Sequence, residues 1–179
     1  MKLVRTKLDP PIEPGQLIER PRLLGRLDGV AQARLTIVQG PAGYGKTSLL
    51  CQWFGALQQS ARGAAWLSID ATDRDAIDLL TYVGAALATD GVRLDPSVEG
   101  LAGTYGFTTP DPLIASIIDG LGEHREPLFL FLDDVHLLAA GPLAALCQLI
   151  DRSPSPVHFI LAARATPDLH VARMRSQRC

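Results

Sequence analysis

Beyond residue 7 the chain holds one lysine, Lys46, and it stands in Gly40-Pro41-Ala42-Gly43-Tyr44-Gly45-Lys46-Thr47. Elsewhere positive charge is carried by arginine: fourteen Arg against three Lys, the other two lysines being Lys2 and Lys7. A chain so biased toward arginine keeps a lysine where the chemistry asks for a compact, flexible ammonium in place of a planar fork. The spacing G-x-x-x-x-G-K-[ST] is that of a loop that cradles phosphates. Gly40, Gly43 and Gly45 let the backbone curl through Pro41, Ala42 and Tyr44 so that consecutive N–H groups converge as an anion nest. Lys46 then reaches the β- and γ-phosphates of a nucleotide, and the Thr47 hydroxyl is placed to ligate Mg²⁺. Ser48 follows in the first turn of a helix whose positive dipole end faces the same phosphates.

A second chemical element lies far downstream, where Leu128-Phe129-Leu130-Phe131-Leu132 runs into Asp133-Asp134. A buried strand of this kind carries a carboxylate to the C-terminal edge of a parallel sheet, the edge at which open α/β sheets bind ligands. Asp133 would hold Mg²⁺ through its water shell. Asp134 would lie beside the γ-phosphate and polarise an attacking water; the other reading of either aspartate is a cap on the following turn. Arg164, directly after Val157-His158-Phe159-Ile160-Leu161-Ala162-Ala163, can sense the γ-phosphate bidentately or stand as a surface arginine. His136 reads as packing or turn, and Trp53 and Trp66 read as core. The cluster Arg173, Arg175 and Arg178 is too short to read as a nucleic-acid site.

The elements needed to position these groups are legible in order. Leu35-Thr36-Ile37-Val38 is a short β-branched run suited to a buried parallel strand. Leu49, Leu50, Trp53, Phe54 and Leu57 then recur at helical spacing. A second strand is predicted over 64–69, followed by a helix through Leu79, Leu80, Val83 and Leu87 that Asp73 or Asp75 can cap. Glycines punctuate residues 89–110, a functional loop or a poorly specified insertion. Helices over 112–120 and 143–150 flank the Leu128–Leu132 strand, and a fourth strand covers 157–161. Residues 1–30 are rich in Pro and charge, with a short helix near 22–30. Alternating strands and helices imply a parallel sheet with helices on both faces.

Bulk properties narrow the classes further. With 179 residues and 47% hydrophobic composition the chain builds one sizeable core. A net charge of −2 offers no global pull toward nucleic acid or acidic membranes. No stretch approaches the roughly 18 apolar residues of a membrane span, and no charged-then-apolar leader opens the chain, so a cytoplasmic protein is expected. Cys51, Cys147 and Cys179 show no metal-ligand pairing; the first two lie on apolar helix faces.

With these residues placed, the chain resembles the nucleotide-binding domain of MalT-like regulators, large ATP-dependent transcription activators of the LuxR type within the STAND class of signalling NTPases. The resemblance runs over nearly the whole length. It is carried by Thr6-Lys7-Leu8-Asp9-Pro10-Pro11, Ile18-Glu19-Arg20-Pro21-Arg22-Leu23, the loop Pro41 to Leu50, Trp66-Leu67-Ser68-Ile69-Asp70, Leu132-Asp133-Asp134-Val135-His136 and Ala163-Arg164-Ala165-Thr166-Pro167-Asp168-Leu169. Val135 departs from it, standing where an aromatic is common.

The resemblance implies a three-layer α/β P-loop NTPase with a parallel sheet of strand order 2-3-4-1, a fifth strand missing. Residues 1–30 would form an opening segment on the adenine side, with Ile18 and Arg20 as candidates to touch the nucleotide. Residues 31–179 would form the NTPase domain, incomplete at its C-terminus. The implied function is a Mg-ATP/ADP switch with slow hydrolysis in the complete regulator, which self-associates in the ATP state. DNA would be bound only through a C-terminal helix-turn-helix absent here, as are the winged-helix lid and the sensor arm. On this reading residues 1–179 alone bind nucleotide weakly, turn it over negligibly and self-associate through the edge of the 35–38 strand. A small-molecule kinase, an AAA+ motor and an inactive fragment are the alternatives.

Overall fold

The computed structural model describes residues 3–11, 20–29, 33–95 and 109–165. The strands are β1 (Leu35–Gln39), β2 (Gly63–Ser68), β3 (Leu128–Asp133) and β4 (Val157–Ala163). The helices are α1 (Pro21–Gly29), α2 (Lys46–Gln59), α3 (Ala76–Thr89), α4 (Asp111–Glu123) and α5 (Ala140–Arg152), with 3-10 turns at Arg5–Lys7 and Val135–Leu137. All strand pairs are parallel and the sheet runs β1-β4-β3-β2. This is the expected order 2-3-4-1 read from the other edge, and it puts β1 at an edge among the described strands.

Two apolar layers sandwich the sheet, and strand alternation assigns residues to them. Trp66, Phe129, Phe131, Ile160 and Ala162 face α1 and α2, where they meet Leu50, Trp53, Phe54 and Leu57. Ala65, Leu67, Leu130, Leu132, Phe159 and Leu161 face α3, α4 and α5. Trp53 and Trp66 are 1% and 0% exposed, so both belong to the core. Trp53 meets Phe131 edge-on at 5.4 Å and Trp66 stacks on it at 5.8 Å, fixing α2 against β3. These contacts rigidify the two elements that carry Lys46 and Asp133. Cys51 and Cys147 are half-buried, packed at the margins of the two cores.

Of the two aspartates able to cap α3, Asp75 does so, its carboxylate accepting from the Ile77 and Asp78 N–H groups at 2.7 and 3.4 Å. Asp73 is drawn away by Lys7, whose ammonium lies 2.7 Å from it. Among the described residues no helix is long and apolar enough to cross a membrane.

Candidate nucleotide-binding site

The loop between β1 and α2 is shaped by its glycines. Gly43 and Gly45 adopt φ values of +79° and +71°, a region where a side chain is strained. The start of the loop is tied to the sheet by the Gly40 N–H donating to the Ala163 carbonyl at 3.2 Å. At its end, Gly45 is the left-handed residue preceding α2 and has no side chain with which to cap that helix. The first-turn N–H groups of α2 therefore open toward the loop with their dipole, the geometry that favours an anion. Lys46 Nζ donates to the Pro41 carbonyl at 3.1 Å, so the ammonium reaches back across the loop.

Thr47 and Asp133 come from elements 86 residues apart in sequence, yet the Thr47 hydroxyl donates to Asp133 Oδ2 at 2.7 Å. The other Asp133 oxygen accepts the Asp134 N–H at 2.9 Å. Asp133 is 4% exposed. Burial pushes its carboxyl above the ordinary value; the Thr47 hydrogen bond opposes this, and the charge of Asp134 reinforces it. An incompletely compensated carboxylate beside a hydroxyl is an all-oxygen donor set of the kind Mg²⁺ accepts, with one carboxylate and room for waters and phosphate oxygens. The residues present fit that ion.

Asp134 has left-handed backbone, φ 58°, and its side chain makes no capping hydrogen bond to the turn that follows. A non-glycine residue held in this region is uncommon, and the Asp134 carboxylate is half-exposed. His136 lies next to it, Nδ1 being 3.7 Å from Asp134 Oδ1. Both His136 ring nitrogens are buried without a hydrogen-bond partner among the described residues. His136 stands in the 3-10 turn with its side chain largely buried, as the packing-or-turn reading expects. Arg164 is exposed immediately beyond β4. Since β4 lies between β1 and β3, it starts from the edge that also carries the loop and Asp133.

Arg20 sits against the loop itself. Its Nη1 donates to the Tyr44 carbonyl at 3.2 Å, and Nη2 lies 2.8 Å from where a Cβ on Gly45 would stand. Its own N–H donates to the Gln52 side chain of α2 at 3.3 Å. Ile18 lies outside the described residues. The structure thus brings Lys46, Thr47, Asp133, Asp134 and Arg20 around one edge of the sheet.

The family described as "AAA ATPase domain" matches residues 16–161. Similar curated proteins include the HTH-type transcriptional regulator MalT of Yersinia enterocolitica, 35% identical over 176 residues, and that of Serratia proteamaculans, 32% identical over 174. Each match covers 97% of this chain and 19% of the relative, so the chain spans about a fifth of the length of these proteins. Among solved structures, Cdc6p from Pyrobaculum aerophilum superposes with a TM-score of 0.64 over 98% of this chain and 48% of its own, at 16% identity. That likeness bears on the fold alone. The chain belongs to the AAA ATPase domain family, as a MalT-like P-loop domain that binds nucleotide.

Proposed function

We propose that the chain is the Mg-ATP/ADP-binding switch domain of a signal-responsive transcriptional regulator, with residues 1–30 as its opening segment and 31–179 as the NTPase domain. The observation that carries this reading is the 2.7 Å contact between Thr47 of the glycine loop and Asp133 at the end of β3. It joins a phosphate cradle to a buried carboxylate at one point. The backbone N–H groups of Gly43 to Ser48 bind the phosphates, Lys46 turns from the Pro41 carbonyl onto the β- and γ-oxygens, and Thr47 with Asp133 holds Mg²⁺. Bound there, the ion neutralises charge on the β- and γ-phosphate oxygens.

Hydrolysis in the complete protein is slow and rests on placement. Asp134 orients the water for in-line attack, and His136 steadies that carboxylate from the next turn. Lys46 and Arg164 stabilise the charge that develops on the transferred group. Arg20 ties the opening segment to the loop through the Tyr44 carbonyl, and Ile18 and Arg20 contribute to the adenine side. The ATP state favours self-association, and DNA contact belongs to parts of a longer protein outside this chain. The names of the relatives and the family match support this reading.

Titration with a fluorescent ATP analogue tests it. Lys46→Ala should cost about 1.5–3 kcal/mol of binding, the range for a lost charge-assisted contact, roughly tenfold to over a hundredfold in Kd. Equal affinity in two well-folded proteins would remove the phosphate assignment from this loop.

A further inference from the structure

Lys7 is the second lysine that this arginine-rich chain retains in its described part, and it is buried, 7% exposed. Its ammonium meets three carboxylate oxygens: Asp73 Oδ1 at 2.7 Å, Asp73 Oδ2 at 2.9 Å and Asp70 Oδ2 at 3.0 Å. The Tyr82 ring lies beneath it at 4.7 Å, and the Tyr82 hydroxyl accepts the Val4 N–H at 3.2 Å. The ammonium's donors reach both carboxylates at once while it lies over the ring face.

Buried ion pairs are weak stabilisers beside an apolar substitute of the same shape, so holding a short segment against α3 does not by itself call for one. What the charges do here is fix direction. Asp73, anchored by Lys7, accepts the Asp70 N–H through Oδ2 at 2.8 Å. The preceding residue, Ile69, donates its N–H to the Asp133 carbonyl at 3.1 Å. Ser68 is paired with Asp133 in the sheet register. The loop leaving β2 is therefore set on one side by Lys7 and on the other holds the backbone of Asp133.

We propose that Lys7 is a positioning residue for the metal site: through Asp73, Asp70 and Ile69 it holds the main chain of Asp133 so that its carboxylate meets Thr47. This rests on the reading of Asp133 and Thr47 as the Mg²⁺ cradle. Without Lys7, Asp70 and Asp73 are two carboxylates with no shared cation, and they repel. The loop opens, Ile69 leaves the Asp133 carbonyl, and the cradle loosens. The phosphate-binding amides lie on the far side of β4 and stay in place.

The test titrates Mg²⁺ into the chain with a fluorescent ATP analogue, and separately measures analogue affinity in EDTA, for wild type, Lys7→Met, Asp70→Asn and Lys7→Met/Asp73→Leu. Groups behind metal ligands tune affinity by roughly 10–100-fold, and one layer further out we expect about threefold to tenfold. Lys7→Met and the double variant should need that much more Mg²⁺ for half-saturation, Asp70→Asn somewhat less, with affinity in EDTA within about twofold of wild type. The double variant replaces the buried pair by apolar groups and should recover most of the stability that Lys7→Met loses, so its Mg²⁺ requirement reports position separately from stability. A stable double variant with the wild-type Mg²⁺ requirement would overturn the proposal, as would an equal loss in EDTA and in Mg²⁺. If Lys7→Met does not fold, the other two variants decide by the same criteria. Wild-type protein that binds no nucleotide would instead sink the underlying reading of the site.

Discussion

Asp133→Asn separates what the carboxylate does for the ion from what it costs the fold. In the structure one oxygen accepts from Thr47 at 2.7 Å and the other from the Asp134 N–H at 2.9 Å. Asparagine keeps one acceptor and nearly the same shape, but it brings no charge to the ion's water shell. Losing one charge-assisted interaction is worth about 1.5–3 kcal/mol, so Mg²⁺-dependent binding should weaken roughly tenfold to over a hundredfold. Nucleotide affinity in EDTA should barely change. Stability moves the other way. The carboxyl is raised in the fold from its ordinary 3.8, chiefly by burial. Its stabilising contribution is therefore present below the unfolded value and lost as pH rises through the folded one. At pH 7 without metal, the ionised group weakens the fold, and Asp133→Asn should melt at a higher temperature than wild type. That gap should close as pH falls to the ordinary carboxylate value. Melting curves from pH 3.5 to 8 in EDTA, beside Mg²⁺ titrations, read both effects. An unchanged Mg²⁺ requirement would refute the assignment, and a clearly less stable variant at pH 7 would refute the electrostatic reasoning.

Gly45→Ala places a Cβ at φ +71° and 2.8 Å from Arg20 Nη2; binding of a fluorescent ATP analogue should fall more than about tenfold, the equivalent of 1.4 kcal/mol, in a folded protein. Trp53→Ala, at a site 1% exposed, should cost about 3–5 kcal/mol by urea denaturation. Lys7→Met should cost a similar 3–5 kcal/mol by leaving the Asp73 charge buried alone, and Lys7→Met/Asp73→Leu should recover most of it. Asp134→Asn and His136→Phe should both spare nucleotide binding and slow phosphate release in a hydrolysing, full-length context; unaltered turnover in both would return Asp134 and His136 to turn and packing roles.

Much of the site was legible because its chemistry is local in sequence. The loop Gly40–Thr47 declares itself by spacing, and its strand and helix follow from two apolar periodicities. The sheet order came with the family resemblance, and the pairing of β1 with β4 and of β2 with β3 agrees with it. The buried run 128–132 announced the carboxylate at its end. What sequence could not show were contacts made across long separations. Lys7 reads as one charge in a polar opening segment, and nothing local says that it pairs with Asp73, 66 residues away. Asp73 and Asp75 carry the same local capping signal, and only the fold shows that Asp75 caps α3. The resemblance puts Arg20 on the adenine side, and what only the fold shows is its bonding to the Tyr44 carbonyl and the Gln52 side chain. The left-handed backbone of Asp134 is likewise invisible in the sequence, because aspartate tolerates several conformations.

On the proposed reading, nucleotide occupies the Gly40–Thr47 loop with Mg²⁺ held between Thr47 and Asp133. Hydrogen–deuterium exchange of the chain with and without Mg-ATP, resolved to single amides, tests it most directly. Protection of the Gly43, Tyr44, Gly45, Lys46, Thr47 and Ser48 amides should appear on adding nucleotide, and should be lost in Lys46→Ala at the same concentration. Saturable binding that protects amides elsewhere while leaving this loop unchanged would contradict the account.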